Sequence, residues 1–224
     1  MKRMLIFVLA LMLTALPLAA LAEGDAPTVT VNGAATVSVA ADYAQVNLAV
    51  ETNAPAVADS LSENAARMVQ VLSALEEAGV AAEDIVTDRF YVYTQYEYTG
   101  ENRTYTVTNA LTVTVRQIAD TGRVIDVAIS AGANTCNGIT FYSDAAAQAN
   151  DDALVTAIAE ARRKAELAAT ACGKTLGDLV SLTESYGSYE GVRYAKSAAA
   201  DAWTNILPDG LDFTANVTAT FELK

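Results

Sequence analysis

Residues 85–98 and 104–115 read IVTDRFYVYTQYEY and TYTVTNALTVTV, two runs of β-forming residues separated by the short segment TGENR (99–103). Two such runs around a short glycine-containing segment predict a β-hairpin. Apolar residues recur at every second position of the second run, and threonines occupy most positions between them. This alternation predicts a strand with one face on a core and the other in water.

The first run of the hairpin is rich in aromatic residues. Tyrosines on a strand either pack across neighbouring strands with their hydroxyls in water, or form a surface that contacts a ligand or a protein. A second tyrosine-bearing stretch, Tyr186–Ile206, has no sustained periodicity, and we interpret it as a mobile or functional loop. The candidate interaction surface comprises Tyr91, Tyr93, Tyr96, Tyr98, Tyr105, Tyr189, Tyr194 and Trp203.

Three helices are predicted from apolar residues that recur at helical spacing. The first runs from about residue 56 to 78, with a buried stripe of Leu61, Ala65, Met68, Leu72 and Leu75. A shorter helix over 119–131 is expected to bury Val124, Ile125, Ala128 and Ile129. The third covers 144–172, with a stripe of Leu154, Ile158, Ala161, Ala165, Ala168 and Cys172.

The remaining alternating segments predict strands. Residues 28–39 suggest short strands around a turn or bulge at Asn32-Gly33, and 43–51, 139–142, 179–184 and 211–223 suggest further strands. Strands that follow one another directly, with helices between the groups, indicate an α+β fold. We therefore expect a largely antiparallel sheet with two long helices and one shorter helix packed on it.

The N-terminus has the pattern of a secretory signal peptide. Lys2 and Arg3 precede an apolar run, and Ala20-Leu21-Ala22 forms an A-x-A cleavage site. We interpret 1–22 as a cleaved signal peptide, with a retained anchor as the alternative. Residues 23–224 then form one domain or two intimately packed subdomains, with no membrane span after cleavage.

Composition excludes several function classes. The chain has no histidine, which rules out Ser-His-Asp and Cys-His catalysis and HExxH zinc sites. Its net charge of −13 argues against nucleic-acid binding, which needs clustered Lys and Arg. No calcium loop or phosphate-binding glycine loop is recognisable. We therefore predict no catalytic residues, no cofactor and no metal, and keep a carboxylate-based hydrolase as a remote alternative.

The two cysteines, Cys136 and Cys172, leave three interpretations open. A redox-active thiol needs a neighbouring cation or helix N-terminus, and the neighbours of Cys136 are neutral. A buried free thiol is the second interpretation. A Cys136–Cys172 disulfide fits best, because an export signal implies an oxidising compartment and the chain has only two cysteines.

The order of these elements resembles the SIMPL-domain family of exported bacterial proteins, over nearly all of the chain after residue 22. The resemblance rests on Val31-Asn32-Gly33 with Asp42-Tyr43-Ala44, on Gly79 followed by 83–87, on 93–98, on 131–141, and on 161–171 with Gly173, Gly177 and 182–185. It implies an extracytoplasmic α+β protein that is oligomeric and linked to envelope or oxidative stress. The family supplies no catalytic residues to transfer.

Three functional hypotheses remain. The first is a non-enzymatic exported protein that acts by self-assembly or by contact with an envelope protein, through the hairpin around Tyr91–Tyr105 and the segment Tyr186–Ile206. The second is a small-ligand-binding protein that uses the same aromatic residues. The third is the carboxylate-based hydrolase.

Overall fold

The computed structural model describes residues 26–96, 103–185, 189–194, 206 and 208–224, with only the backbone given for 189–194. These residues form an α+β fold with antiparallel strands, as the sequence predicts, but the strands are divided between two sheets where we expected one. The proposed signal peptide lies outside the described residues. The strands are β1 (Thr28–Val39), β2 (Tyr43–Ala54), β3 (Ile85–Tyr96), β4 (Arg103–Val115), β5 (Thr135–Tyr142), β6 (Leu176–Ser185), β7 (Tyr189–Tyr194) and β8 (Pro208–Leu223). The helices are α1 (Val57–Glu77), α2 (Thr121–Ala131) and α3 (Ala146–Ala171), with 3-10 turns at Ala82–Asp84 and Ile118–Asp120.

Sheet I has the strand order β3-β4-β2-β5, so the predicted hairpin forms one side of it. Ala44, Val46, Leu48 and Val50 alternate along β2 and are fully buried, as their spacing predicts. Helices α1 and α2 cover this face of β2 and β4. The opposite face of the sheet carries hydroxyl, amide and carboxylate side chains around the buried Ala49 and Ala110, and none of the described helices packs on it, so we call it the open face.

Sheet II places β8 between β1 on one side and β6 and β7 on the other. Because β8 has 16 residues, it can pair with β6 and β7 in succession along one edge. Residues 189–194 of the predicted irregular loop are therefore a strand, which is a correction. Their pairing partner is far away in the sequence, so no local pattern marks it.

Helix α3 packs on β1 and β8 through a row of alanines, each separated from the next by one turn. The close approach is possible because β1 has a glycine at the contact. A Cβ on Gly33 would lie 2.0 Å from the carbonyl oxygen of Ala157. Strand β1 pairs with β8 without interruption, so the predicted turn or bulge at Asn32-Gly33 is wrong. The glycine serves helix packing instead.

Two predicted helix stripes are displaced. In α3 the buried residues are Ala149, Ala153, Ala157, Ala161, Ala165 and Ala169, and Cys172 is exposed. In α1 the buried residues are Ser60, Asn64, Met68, Val71 and Leu75. Ile129 of α2, predicted to be buried, is exposed instead.

The polar residues in the α1 stripe have partners in sheet I. Asn64 donates to the carbonyl oxygens of Val50 (2.9 Å) and Val107 (3.2 Å), and Ser60 shares hydrogen bonds with Thr52. These bonds offset the cost of burying polar groups, so the N-terminal half of α1 faces the sheet without an apolar stripe. Among the described residues, no helix is long and apolar enough to cross a membrane.

Candidate functional site

The predicted tyrosine-rich strand lies at the edge of sheet I. Strand β3 pairs with β4 along its length, from Ile85 opposite Val113 to Tyr96 opposite Arg103. Within the part of the chain that the structure describes, no strand pairs with its other side. The edge therefore presents backbone N–H and C=O groups that can pair with another strand.

Helices α1 and α2 do not extend over β3, which leaves both of its faces exposed. Residues that alternate toward the helix side include Phe90, Val92 and Tyr96, exposed by 54%, 40% and 68%. Tyr91 and Tyr93 point to the open side and are about 40% exposed. A solvent-exposed strand usually hides its apolar residues on one face, so exposure on both faces is unusual.

The two open-face tyrosines are ordered against each other and against β4. Their rings stack with centroids 5.7 Å apart and an interplanar angle of 27°. Tyr91 is opposite Thr108, and Tyr93 is opposite Thr106. The predicted cross-strand packing and an accessible aromatic surface therefore coexist.

A hydrogen-bonded polar layer continues from these tyrosines across the open face. Asn53 donates to the hydroxyl oxygens of Thr104 (3.1 Å) and Thr106 (2.7 Å). Thr108 donates to a carboxylate oxygen of Glu51 at 3.4 Å. These bonds fix the side chains beside the tyrosine pair, so the open face is a preorganised surface.

The exposed stretch of β3 has few of the features that protect edge strands. Residues 90–96, FYVYTQY, contain no charge and no proline, and their composition favours strand pairing. The charged residues Asp88 and Arg89 directly precede this stretch, at a bulge between Thr87 and Arg89. Given full areas of roughly 150–250 Å² per aromatic side chain, the exposed side chains amount to about 500 Å². This area is divided between the two faces of β3, and exposed apolar surface of this size around one strand is often functional.

A second exposed edge strand, β6, has a shorter apolar stretch without aromatic residues. Leu179, Val180 and Leu182 are exposed there. They lie between two acidic residues, Asp178 and Glu184. Charged residues that flank a hydrophobic strand oppose pairing with other chains. Charged residues also flank 90–96 of β3, at Arg89 and Glu97, so this protection does not separate the two edges. Of the two, β3 exposes the larger apolar and aromatic area and is the stronger candidate for intermolecular contact.

A cleft of about 420 Å³ lies at the end of sheet I where β2 begins and β4 ends. Asp84 at its base accepts two hydrogen bonds from Arg116, both 2.7 Å, and this ion pair raises the pKa of the guanidinium. Asp42 accepts from the Ser143 hydroxyl and from the N–H of Asp144, which hold the pKa of Asp42 below its usual value. These two carboxylates have structural partners, so the geometry gives no specific support to a hydrolase. Within the described ranges, no group of three or more candidate ligand side chains is placed to hold a metal.

The structure corrects the expected disulfide, because Cys136 and Cys172 are both free and exposed. Cys136 lies in β5, and Cys172 directly follows α3. Helix α3 has 26 residues and, at ~1.5 Å per residue, spans about 39 Å. The strand from Cys136 to the end of β5 spans about 20 Å. The helix therefore carries Cys172 well past Cys136, whereas a disulfide requires Cα atoms within about 7 Å.

The predicted interaction residues are only partly brought together. Tyr91 and Tyr93 form one stacked pair, Tyr96 lies on the other face of β3, and Tyr105 lies on β4 below Arg103, whose guanidinium is 5.7 Å from the ring centroid. Tyr189 and Tyr194 begin and end β7. Tyr98 and Trp203 lie outside the described residues.

Phe90 and Val92 also belong to the exposed stretch of β3, although the sequence did not single them out as candidates. Phe90 precedes Tyr91, and Val92 lies between Tyr91 and Tyr93, so residues 90–93 are continuously apolar and aromatic. A continuous run of this kind is equally typical of a strand buried on both faces. Only the strand order shows that this one lies at an edge.

Comparison with known proteins places this fold in a recognised group. The model of a family described as SIMPL, protein of unknown function (DUF541), matches residues 29–221. The 26 kDa periplasmic immunogenic protein of Brucella melitensis is 26% identical over 88% of this chain and 84% of its own length. The uncharacterized protein YggE of Escherichia coli K12 is 25% identical over 80% of this chain and 74% of its own length.

Proposed function

Since this chain belongs to the SIMPL family, we propose that it is an exported, non-enzymatic protein that acts through self-association at the free edge of β3. Two observations support extracytoplasmic location: the signal-peptide pattern of residues 1–22 and the word periplasmic in the name of the Brucella relative. The observation that carries the proposal is the uncharged aromatic strand with both faces exposed and one edge unpaired among the described residues.

Pairing with β3 of a second copy is more favourable for this edge than contact with water. Strand pairing satisfies the free backbone groups and removes aromatic surface from water. The patch of about 500 Å² approaches the ~800 Å² per partner of a standard interface, and the backbone edge and neighbouring β4 surface supply further area. Contact with an envelope protein is the alternative use of the same edge.

Light scattering coupled to size-exclusion chromatography tests self-association. We expect the wild-type protein to exceed the monomer mass at roughly 100 µM, a concentration that populates a dimer of micromolar Kd. Val92→Lys places a charge in the patch and should return the protein to a monomer. Val69→Lys is the matched control, since Val69 is 66% exposed on α1, away from β3. A wild-type protein that stays monomeric refutes the proposal.

Ionic strength provides a second test of self-association. Without residues 1–22, which contain two basic residues and no acidic one, each copy carries a net charge of −13 − 2 = −15, so long-range repulsion opposes the encounter of two copies. Raising salt from about 0.01 M to 0.1 M shortens the Debye length from ~30 Å to ~10 Å. Self-association should therefore strengthen with salt, whereas attraction to a basic partner should weaken.

The proposal extends to a role in protecting the envelope or resisting oxidative stress. In a host that lacks the gene for this protein, wild type and Val69→Lys should restore growth under oxidant, and Val92→Lys should not. If Val92→Lys restored growth as well as wild type does, resistance to oxidant would not depend on the β3 edge.

The stacked tyrosine pair beside Glu51 and Asn53 favours small-ligand binding as a second candidate. Thermal-shift measurements with sugars and peptides test it. A stabilisation that Tyr93→Ala removes, while the oligomeric mass is unchanged, would favour this candidate.

A further inference from the structure

We propose that two copies of this chain pair their β3 strands antiparallel about a two-fold axis at Tyr93, which joins two copies of sheet I into one sheet. This inference rests on the proposed self-association at β3 and specifies its symmetry and register. It is carried by which side chains share a face of β3, by how exposed they are, and by where the bulge ends the regular pairing.

The faces of β3 limit the registers that a two-fold axis allows. An axis perpendicular to the sheet keeps the helices of both copies on the same side. Residues that lie opposite each other in antiparallel strands point to the same face. Phe90, Val92 and Tyr96 share the helix side, and Tyr91 and Tyr93 share the open side. Each helix-side residue must therefore lie opposite a helix-side residue of the second copy.

Among these registers, an axis at Tyr93 makes the fullest use of the uncharged stretch. It pairs 90–96 of one copy with the whole of 90–96 of the other. Phe90 then lies opposite Tyr96 at both ends of the pairing, which covers the two most exposed aromatic side chains of the strand. Aromatic pairs across strands contribute favourably to sheet stability.

The neighbouring register of the same face parity, with the axis at Val92, fits less well. It would place Tyr96 opposite Asp88, at the bulge where β3 already leaves its regular pairing with β4. A carboxylate and an irregular backbone would then replace one aromatic contact at each end. The Tyr93 register avoids both.

The resulting assembly is a closed dimer with an eight-stranded sheet, which is within the usual size of open sheets. Its interface is isologous, so the same patch is used by both copies and none is left to recruit a third. The stacked tyrosines of the two copies become continuous on the open face.

Cysteine cross-linking tests the register in a background that carries Cys136→Ser and Cys172→Ser. Wild-type residues Val92 and Thr94 lie opposite each other across the proposed axis. A mixture of Val92→Cys and Thr94→Cys proteins should therefore form a covalent heterodimer on mild oxidation, and either protein alone should not. Tyr93→Cys alone should form a covalent homodimer. Val69→Cys, exposed on α1, is the control for random collisions.

Light scattering on the same samples separates the two levels of the inference. If the proteins form dimers but Val92→Cys cross-links to itself as well as to Thr94→Cys, the Tyr93 register is overturned and self-association stands. The same conclusion follows if dimers form and no cross-link appears. If the proteins are monomers without oxidant, the proposed function fails together with the register. The Val92–Thr94 mixture keeps Tyr93 intact, so loss of that ring cannot obscure the outcome.

Discussion

Gly33→Ala tests the contact between β1 and α3, on which the packing of sheet II depends. The added Cβ would lie 2.0 Å from the carbonyl oxygen of Ala157, 2.8 Å from the nitrogen of Ala161 and 2.9 Å from its Cβ. Two of these three atoms belong to the backbone of a helix and cannot rotate away. The helix as a whole must therefore move away from β1.

The distance that α3 must move away from β1 determines how much stability Gly33→Ala loses. The distance to the Ala157 oxygen must grow from 2.0 Å to the 3.4 Å at which ordinary contact begins. A radial gap of 0.5–1 Å already forfeits about a quarter to a half of the dispersion energy of each contact. The buried alanines of α3 lie on the same sheet and lose contacts together. Overpacking typically costs 1–3 kcal/mol, and a rigid obstacle places this substitution at about 3 kcal/mol.

Urea unfolding and thermal unfolding, both followed by far-UV circular dichroism, measure this loss. At roughly 2–4 °C per kcal/mol for a chain of this size, Tm should fall by about 6–12 °C. Ala34→Val is the matched control, because Ala34 is exposed on the opposite face of the same strand. Its stability should stay within about 0.5 kcal/mol of wild type. If the stability of Gly33→Ala also stayed within about 0.5 kcal/mol of wild type, the close approach of α3 to β1 would be refuted.

Three further predictions concern individual side chains. The hydrogen bond from Arg163, reinforced by its charge, lowers the pKa of Glu160 from 4.5 to about 2. The ion pair between Glu160 and Arg163 therefore stabilises the folded protein fully above about pH 4.5, and this stabilisation is lost as the pH falls toward 2. The Tm difference between wild type and Glu160→Gln should shrink across that pH range. Cys136 and Cys172 should both react with a thiol reagent in the native protein, and a mass two hydrogens short with no labelling would restore the disulfide. Asp84→Asn removes a buried carboxylate from its bidentate ion pair with Arg116 and should lower the free energy of unfolding by about 1 kcal/mol. The effect is this small because the guanidinium is largely exposed to water. An unchanged midpoint in urea unfolding would contradict this prediction.

Much of the fold follows from local patterns in the sequence. The alternation along 43–51 predicts the buried face of β2, and the run around 85–115 predicts the hairpin that becomes β3 and β4. The helix predicted over 119–131 ends before Gly132, whose φ of 126° suits a glycine at a helix end. These features depend on neighbours within a few residues, so the sequence alone suffices to find them.

The helix faces were harder to predict because competing residue types can be buried. Apolar spacing favours Leu61 and Ala65 on the core side of α1, yet Ser60 and Asn64 are buried there. Their hydrogen bonds go to Thr52 and to strand carbonyl groups that are distant in sequence. The stripe of α3 is displaced for a related reason, since alanines fit the close contact at Gly33 better than Leu154 or Ile158 do.

The sequence by itself determined the α+β class, the elements of the hairpin and the absence of histidine chemistry, since each depends on composition or short-range periodicity. Tertiary structure alone decided that β3 lies at an edge, that Cys136 and Cys172 remain apart, and that 189–194 pair with β8. Strand order and sheet edges depend on contacts between residues far apart in the chain. The same aromatic run could have been a buried strand, and only its position at the sheet edge, beyond the reach of α1, leaves it exposed.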